Sequence, residues 1–198
     1  MNATSQPGLP WRVLTAWGNL RGSIRSLVDC ELTEARLVVI AMLSGLIWYL
    51  QTVMLFRLGA TGADLVGDEV TAFFAAQFIV AIFFRTLMLY GVAGLFGLVL
   101  RKRGGEGSWI ETRAAVFWAF LVTAPVRLVL MLLSTAVAAE MSPTAGLAIG
   151  QAGQLLLVIV LSIFLAEVHK MKAWTIFAGI AAISLVAVLL SGLLPGAS

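Results

Sequence analysis

Five stretches of this sequence are long, apolar and almost free of charge: Leu37–Phe56, Phe73–Leu100, Ala114–Ala139, Ala145–Val168 and Trp174–Leu194. A helix rises about 1.5 Å per residue, so about 20 apolar residues cross a hydrocarbon core roughly 30 Å thick. Each stretch reaches that length, and the second is long enough to tilt or to extend beyond the lipid. Soluble domains are about half apolar and a quarter charged. This chain is 61% apolar and 12% charged, with a mean hydropathy of +1.01. The excess apolar surface needs lipid as its solvent. The fold class expected is all-α, a polytopic membrane helix bundle with five transmembrane helices. That excludes a soluble enzyme, a disordered chain and a disulfide scaffold. The connections are short, so sequential spans are expected to be antiparallel neighbours.

The charges separate by loop. Arg12, Arg21, Arg25, Arg36, Arg101, Lys102, Arg103, Arg113, Lys170 and Lys172 fall on one side of the five spans. The other side holds Arg57 with the acids Asp64, Asp68, Glu69 and Glu140. Cytoplasmic loops collect basic residues, which predicts a cytoplasmic N-terminus and an external C-terminal tail, Pro195–Ser198. The net charge of +3 reflects these loops rather than nucleic-acid binding. The first 36 residues lack an apolar core followed by a small-residue cleavage site, so the first span is expected to be an uncleaved anchor. The localisation expected is a membrane, crossed several times.

Ahead of the first span, Val13, Trp17, Leu20, Ile24 and Leu27 recur at helical spacing. The segment Leu9–Val28 therefore predicts one N-terminal amphipathic interfacial helix, with Pro10 in its first turn. Arg12, Arg21 and Arg25 flank the stripe, placed to reach lipid phosphates. Packing of the same helix beneath the bundle is a compatible reading, because Gly18 and Gly22 weaken an isolated helix. The chain thus divides into a cytoplasmic segment, residues 1–32, and a bundle, residues 33–198.

The loop Arg101–Arg113 carries more local information. Arg101, Lys102 and Arg103 precede Gly104, Gly105 and Gly107, which permit a sharp turn. Ser108 and Glu111 then have the spacing of a capping box. Trp109 stands where interfacial aromatics gather. The glycines match no phosphate-binding loop, since GxxxxGK[ST] is absent. This loop and the N-terminal arginines form the expected cytoplasmic interface.

Two arginines stand inside spans, Arg85 near the middle of the second and Arg127 near the middle of the third. Each costs about 2.5–3.5 kcal/mol to insert. Neighbouring Leu, Ile, Val and Phe offset that cost at about 0.3–0.6 kcal/mol each. No carboxylate lies at matching depth. Gln51, Gln77, Gln151, Gln154 and the Leu121 carbonyl freed by Pro125 are the internal partners available. One reading makes the arginines internal struts, and the other has them meet a lipid head group, a substrate anion or a carboxylate of another protein.

Glu167, His169 and Lys170 cluster at the end of span four, where a solvated helix end is expected rather than a proton relay. Gly146 and Gly150 form GxxxG, and Gly91, Gly94 and Gly97 recur in span two, as residues that let helices approach. Cys30 and His169 are the one cysteine and the one histidine, so no disulfide, metal centre or cofactor site is expected. HExxH, GxSxG and paired intramembrane aspartates are absent, which predicts a protein that is not an enzyme.

The stretch Gly104-Gly105-Glu106-Gly107-Ser108-Trp109-Ile110-Glu111-Thr112-Arg113 leads into Phe117-Trp118 and Ala124-Pro125. With the basic N-terminal segment and five spans, this resembles the bacterial branch of the Ypt-interacting-protein (Yip) domain family, over about residues 9 to 194. The Asp-Leu-Tyr-Gly-Pro signature of eukaryotic members is absent. The resemblance implies a five-span protein of a bacterial inner membrane, of undefined function and without known catalytic residues. The expected partners are membrane lipids, and another integral membrane protein or a second copy. A small anion transporter or channel, and an accessory subunit of a respiratory or photosynthetic complex, are the rival functions.

Overall fold

The protein's structure, a computed structural model, is described for residues 8–30, 32–60 and 65–182. Among these residues there are helices and turns and no strand. The helices are α1 (Leu9–Ala16), α2 (Leu20–Val28), α3 (Glu34–Arg57), α4 (Asp68–Lys102), α5 (Trp109–Glu140), α6 (Pro143–His169) and α7 (Ala173–Ala182). Four of them, α3 to α6, are long and apolar enough to cross a membrane. They coincide with the first four expected spans. Of the fifth, Trp174–Leu194, α7 covers the start, and residues 183–198, including the tail Pro195–Ser198, lie outside the described residues.

Polar residues mark the starts of the long helices, and two of them are capped by a side chain. Thr33 accepts the Arg36 N–H at 3.3 Å to open α3. Asp68 and Glu69 occupy the first turn of α4, where carboxylates suit the helix dipole. Ser108 accepts the Glu111 N–H at 3.3 Å, and the Ser108 N–H donates to the Glu111 carboxylate at 2.7 Å, completing the capping box expected for α5. Lys170 ends α6 in the left-handed conformation, with φ 52°. At 35 residues, α4 is about 52 Å long, well beyond a lipid core.

The N-terminal segment corrects the expectation of one continuous helix. It forms two, α1 and α2, separated at Trp17–Asn19. The physical reason lies in Gly18 and Asn19. The Asn19 side chain accepts the Gly22 N–H at 2.8 Å and so starts a new helix as its N-cap. The stripe still buries: Val13, Ile24 and Leu27 are all in the core, and Trp17 and Leu20 pack against it. α2 lies against α5 and α6, and α1 against α5.

α5 is the centre of the bundle. Its contact with α6 is the most extensive between helices, followed by its contact with α3. Phe117 and Trp118 on α5 and Phe164 on α6 are fully buried. Gly146 explains the α5–α6 approach, because a Cβ there would stand 2.7 Å from the Ser134 carbonyl oxygen. The GxxxG pattern therefore works within the chain. In contrast, Gly91 and Gly94 meet nothing within 4 Å among the described residues.

α4 contains a π-helical turn, Val80–Phe84. There α3 comes so close that a Cβ on Gly45 would lie 2.2 Å from the Ala81 carbonyl oxygen. The wider turn and the missing side chain together bring two helix backbones into contact. The next residue is Arg85.

Candidate functional sites: the arginine pair and the basic end

Arg85 follows the π-turn and enters the space between α3, α4 and α5. Its guanidinium carbon lies 5.5 Å from the Trp48 ring centroid and 5.4 Å from that of Phe120. Aromatic faces attract a cation electrostatically, by up to about 2 kcal/mol where water is excluded. They offer no hydrogen-bond acceptor, and the Arg85 Nε is buried without one among the described residues. Arg127 reaches from α5 to α6, where its Nη2 donates to the Gln154 side-chain carbonyl at 3.1 Å. Arg85 and Arg127 thus stand on helices that pack together, α4 and α5.

Of the expected internal partners, Gln154 holds Arg127. Gln51 donates instead to the Met131 sulfur. Gln77 and Gln151 make no hydrogen bond to either arginine among the described residues. Cavities lie at the basic end, beside α7 and beneath α1.

The basic end is built by α1, α2, the loop 103–108, and the termini of α3 to α6. Arg25 and Arg21 on α2 both reach Glu167 on α6. The Lys170 ammonium pairs with Glu106 of the loop at 2.6 Å. That hydrogen bond, and then the charge of Glu106, raise the Lys170 pKa above its ordinary value. His169 is buried, 1% exposed. This corrects the expectation of a solvated helix end for His169, which is enclosed, and for Glu167, which is largely covered by α2, while Lys170 is exposed as expected. The signal missed was the loop glycines, which let the backbone close over the imidazole. A Cβ on Gly105 would lie 2.6 Å from His169 Nδ1, and one on Gly107 3.0 Å from it. The Thr112 hydroxyl donates to the Ser108 carbonyl at 2.8 Å, so its oxygen accepts from His169 Nε2 at 3.0 Å. Glu106 N–H donates to the His169 carbonyl at 3.3 Å.

The remaining basic side chains divide. Arg113 pairs with Glu34 at 2.6 Å, and the Tyr90 hydroxyl donates to the same carboxylate at 3.1 Å. Sequence reading missed this group, although Glu34 and Arg113 open helices that begin at the same end. Arg12 lies over Trp118, 5.9 Å from its centroid, and that indole donates to Ser23 of α2 at 2.9 Å. Arg101 lies over the Trp109 ring at 5.1 Å. Lys102, Arg103, Arg21 and Arg25 are exposed. α1 also leaves Trp11 and Leu14 exposed, at 61% and 64%. It roofs an apolar groove of about 520 Å³, lined by residues including Leu14, Leu43, Leu46, Leu121 and Pro125. Comparison with protein-family models, curated proteins and solved structures finds no match to this chain.

Proposed function

We propose that this is a non-enzymatic, five-span protein of a bacterial inner membrane, working by contact with anionic lipid at its basic end and with other membrane proteins. In this reading the N-terminus is cytoplasmic, the C-terminus is external, and α1 and α2 lie in the cytoplasmic interface. The observation that carries it is the composition of one end of the bundle. Exposed Trp11 and Leu14 stand on the same short helix as Arg12, which leads into α2 with exposed Arg21 and Arg25, and Lys102 and Arg103 are exposed at the end of α4. Apolar side chains beside cations suit the boundary between acyl chains and phosphates. The groove beneath α1 has the apolar lining an acyl chain needs. A juxtamembrane Lys or Arg contributes about 1 kcal/mol at an anionic surface. Membership of the Yip type rests on the Gly104–Arg113, Phe117-Trp118 and Ala124-Pro125 pattern.

The test is thermal unfolding in nanodiscs of phosphatidylcholine alone and with phosphatidylglycerol added. The wild type is expected to melt higher with the anionic lipid, and the Arg21→Gln/Lys102→Gln/Arg103→Gln variant to lose that gain. Equal melting of the wild type in both lipids would overturn the reading. The anion-transport alternative draws on the placement of Arg85 and Arg127 within two helices that pack together, α4 and α5. It predicts anion flux across vesicles reconstituted with the protein, abolished by Arg127→Gln.

A further inference from the structure

We infer that the cleft between α1 and α2 binds the headgroup of one phosphatidylethanolamine lipid. The assignment rests on the interfacial placement of these two helices proposed above, and it adds a zwitterionic lipid at a separate site. The cleft has a volume of about 580 Å³, and none of Arg21, Arg25, Lys102 and Arg103 lines it. Arg12 and Asp29 are the charged residues on its wall, one of each sign, and Thr15, Asn19, Ser23 and Ser26 stand with them. Arg12 and Asp29 form no ion pair with each other. The Asp29 carboxylate has no hydrogen-bond or ion-pair partner among the described residues. Separated charges of opposite sign in one cavity match a ligand that carries both. A simple anion would meet the Asp29 carboxylate, and a simple cation the Arg12 guanidinium.

The anion-binding half consists of donors already held in place. Arg12 lies over the ring of Trp118, a residue fixed in the core, and its Nη2 donates to Ser26 Oγ at 3.4 Å. The Ser26 hydroxyl donates to the Ser23 carbonyl at 2.8 Å. The Trp118 indole donates to the Ser23 hydroxyl oxygen at 2.9 Å, which leaves the Ser23 proton for an acceptor. The Asn19 side-chain carbonyl accepts the Gly22 N–H, which leaves its amide nitrogen as a donor. Gly22 makes the space for that nitrogen, since a Cβ there would lie 2.6 Å from Asn19 Nδ2. Guanidinium, hydroxyl and amide donors suit the oxygens of a phosphodiester. Asp29, at the C-cap of α2 and three residues beyond Ser26, supplies the acceptor for an ammonium.

α1 gives the reason for a lipid. Its Arg12 and Thr15 line the polar cleft, while its Leu9, Val13 and Leu14 line the apolar groove of about 520 Å³. One short helix thus divides a polar cavity from an acyl-like one, as suits a helix at the boundary between phosphates and chains. The ammonium then selects among lipids. Phosphatidylethanolamine donates an N–H to Asp29 in a charge-assisted hydrogen bond. The quaternary ammonium of phosphatidylcholine has no N–H to give, and phosphatidylglycerol brings no cation.

The experiment incubates the delipidated full-length protein, in detergent, with equimolar phosphatidylethanolamine and phosphatidylcholine of the same acyl chains. Retained lipid is counted by native mass spectrometry, which removes bilayer-wide effects of the headgroup. The wild type is expected to retain one phosphatidylethanolamine about ten-fold over phosphatidylcholine, as one charge-assisted hydrogen bond allows. Asp29→Asn should bring the ratio near one, and Arg12→Gln should weaken retention of both lipids. Asp29 is exposed, so its variant keeps the test open where Arg12→Gln fails to fold. Equal retention of the two lipids by the wild type, or a preference that survives Asp29→Asn, overturns the proposal. Stronger retention of phosphatidylglycerol, abolished by Arg12→Gln, overturns it in favour of a simple anion seat. Displacement of the lipid by millimolar free phosphoethanolamine overturns it in favour of a soluble ligand. An ethanolamine preference in a protein whose melting is indifferent to phosphatidylglycerol supports this site and rejects the anionic-lipid reading. A phosphatidylglycerol response without that preference does the reverse.

Discussion

Gly45→Ala places one methyl group where α3 and α4 touch. The new Cβ would lie 2.2 Å from the Ala81 carbonyl oxygen and 3.2 Å from its carbon. Both are backbone atoms of the π-turn, so no rotamer change relieves the clash. Restoring an ordinary contact requires the helices to part by about 1 Å, an overpacking that costs about 1–3 kcal/mol. Alanine returns about 1 kcal/mol of helix propensity. With both clashing atoms on the backbone the cost falls at the upper end of that range, so the net loss is about 2 kcal/mol, and at about 2–4 °C per kcal/mol for a chain of this size the melting temperature falls by about 4–8 °C. Gly91→Ala on α4 is the matched control, since its Cβ meets nothing within 4 Å. There the propensity gain is unopposed, and the melting temperature should rise by about 2–4 °C. Thermal unfolding of both variants in one detergent, followed by tryptophan fluorescence, makes the comparison. Trp48 adds a local readout, because Arg85 lies over its ring and directly follows the π-turn. A Gly45→Ala protein that melts at or above the wild type would refute the proposed backbone contact. A Gly91→Ala protein that loses as much would show that the open face of α4 is covered.

Three further variants probe the basic end. Ser108→Ala removes the capping box and should cost about 1 kcal/mol, read as a lower melting temperature; an unchanged one contradicts the capping role. Glu167→Gln should cost less than about 1 kcal/mol overall, because its arginine partners are well exposed. It should nevertheless speed amide hydrogen exchange in α2, and unaltered exchange there would contradict the tether. Gly107→Val pushes a side chain to within 2.7 Å of Val168 Cγ1 and 2.9 Å of His169 Cε1. Reaction of the one histidine with diethylpyrocarbonate should accelerate as the loop lifts, and an unchanged rate would show that the loop closes by other means.

What the sequence made legible was local. A run of about 20 apolar residues is a property of a window, and α3 to α6 follow from it. The capping box of α5 is equally local, because Ser108 and Glu111 need only each other. The charged ends could also be read, since alternating spans sort loops by side. The break between α1 and α2 was harder. Periodicity across Trp17 and Leu20 continued through the break, and the N-capping by Asn19 competed with it successfully. The burial of His169 was not legible, because it depends on Gly105 and Gly107 arriving from a loop far away in sequence. The arginine pair was visible as two residues. Its aromatic flanks, Trp48 and Phe120, come from other helices, and the π-turn that precedes Arg85 has no compositional mark in Val80–Phe84.

Orientation tests the account at its root, because the lipid reading requires the basic end to face the cytoplasm. Cys30 is the only cysteine, so Cys30→Ser provides a background for single-cysteine labelling. Lys102→Cys and Glu140→Cys, placed at opposite ends of the α4–α5 pair, are then treated with a membrane-impermeant maleimide. The account predicts that Glu140→Cys reacts in intact spheroplasts and Lys102→Cys only in inverted membrane vesicles. The reverse pattern, or labelling of both positions from one side, would contradict it.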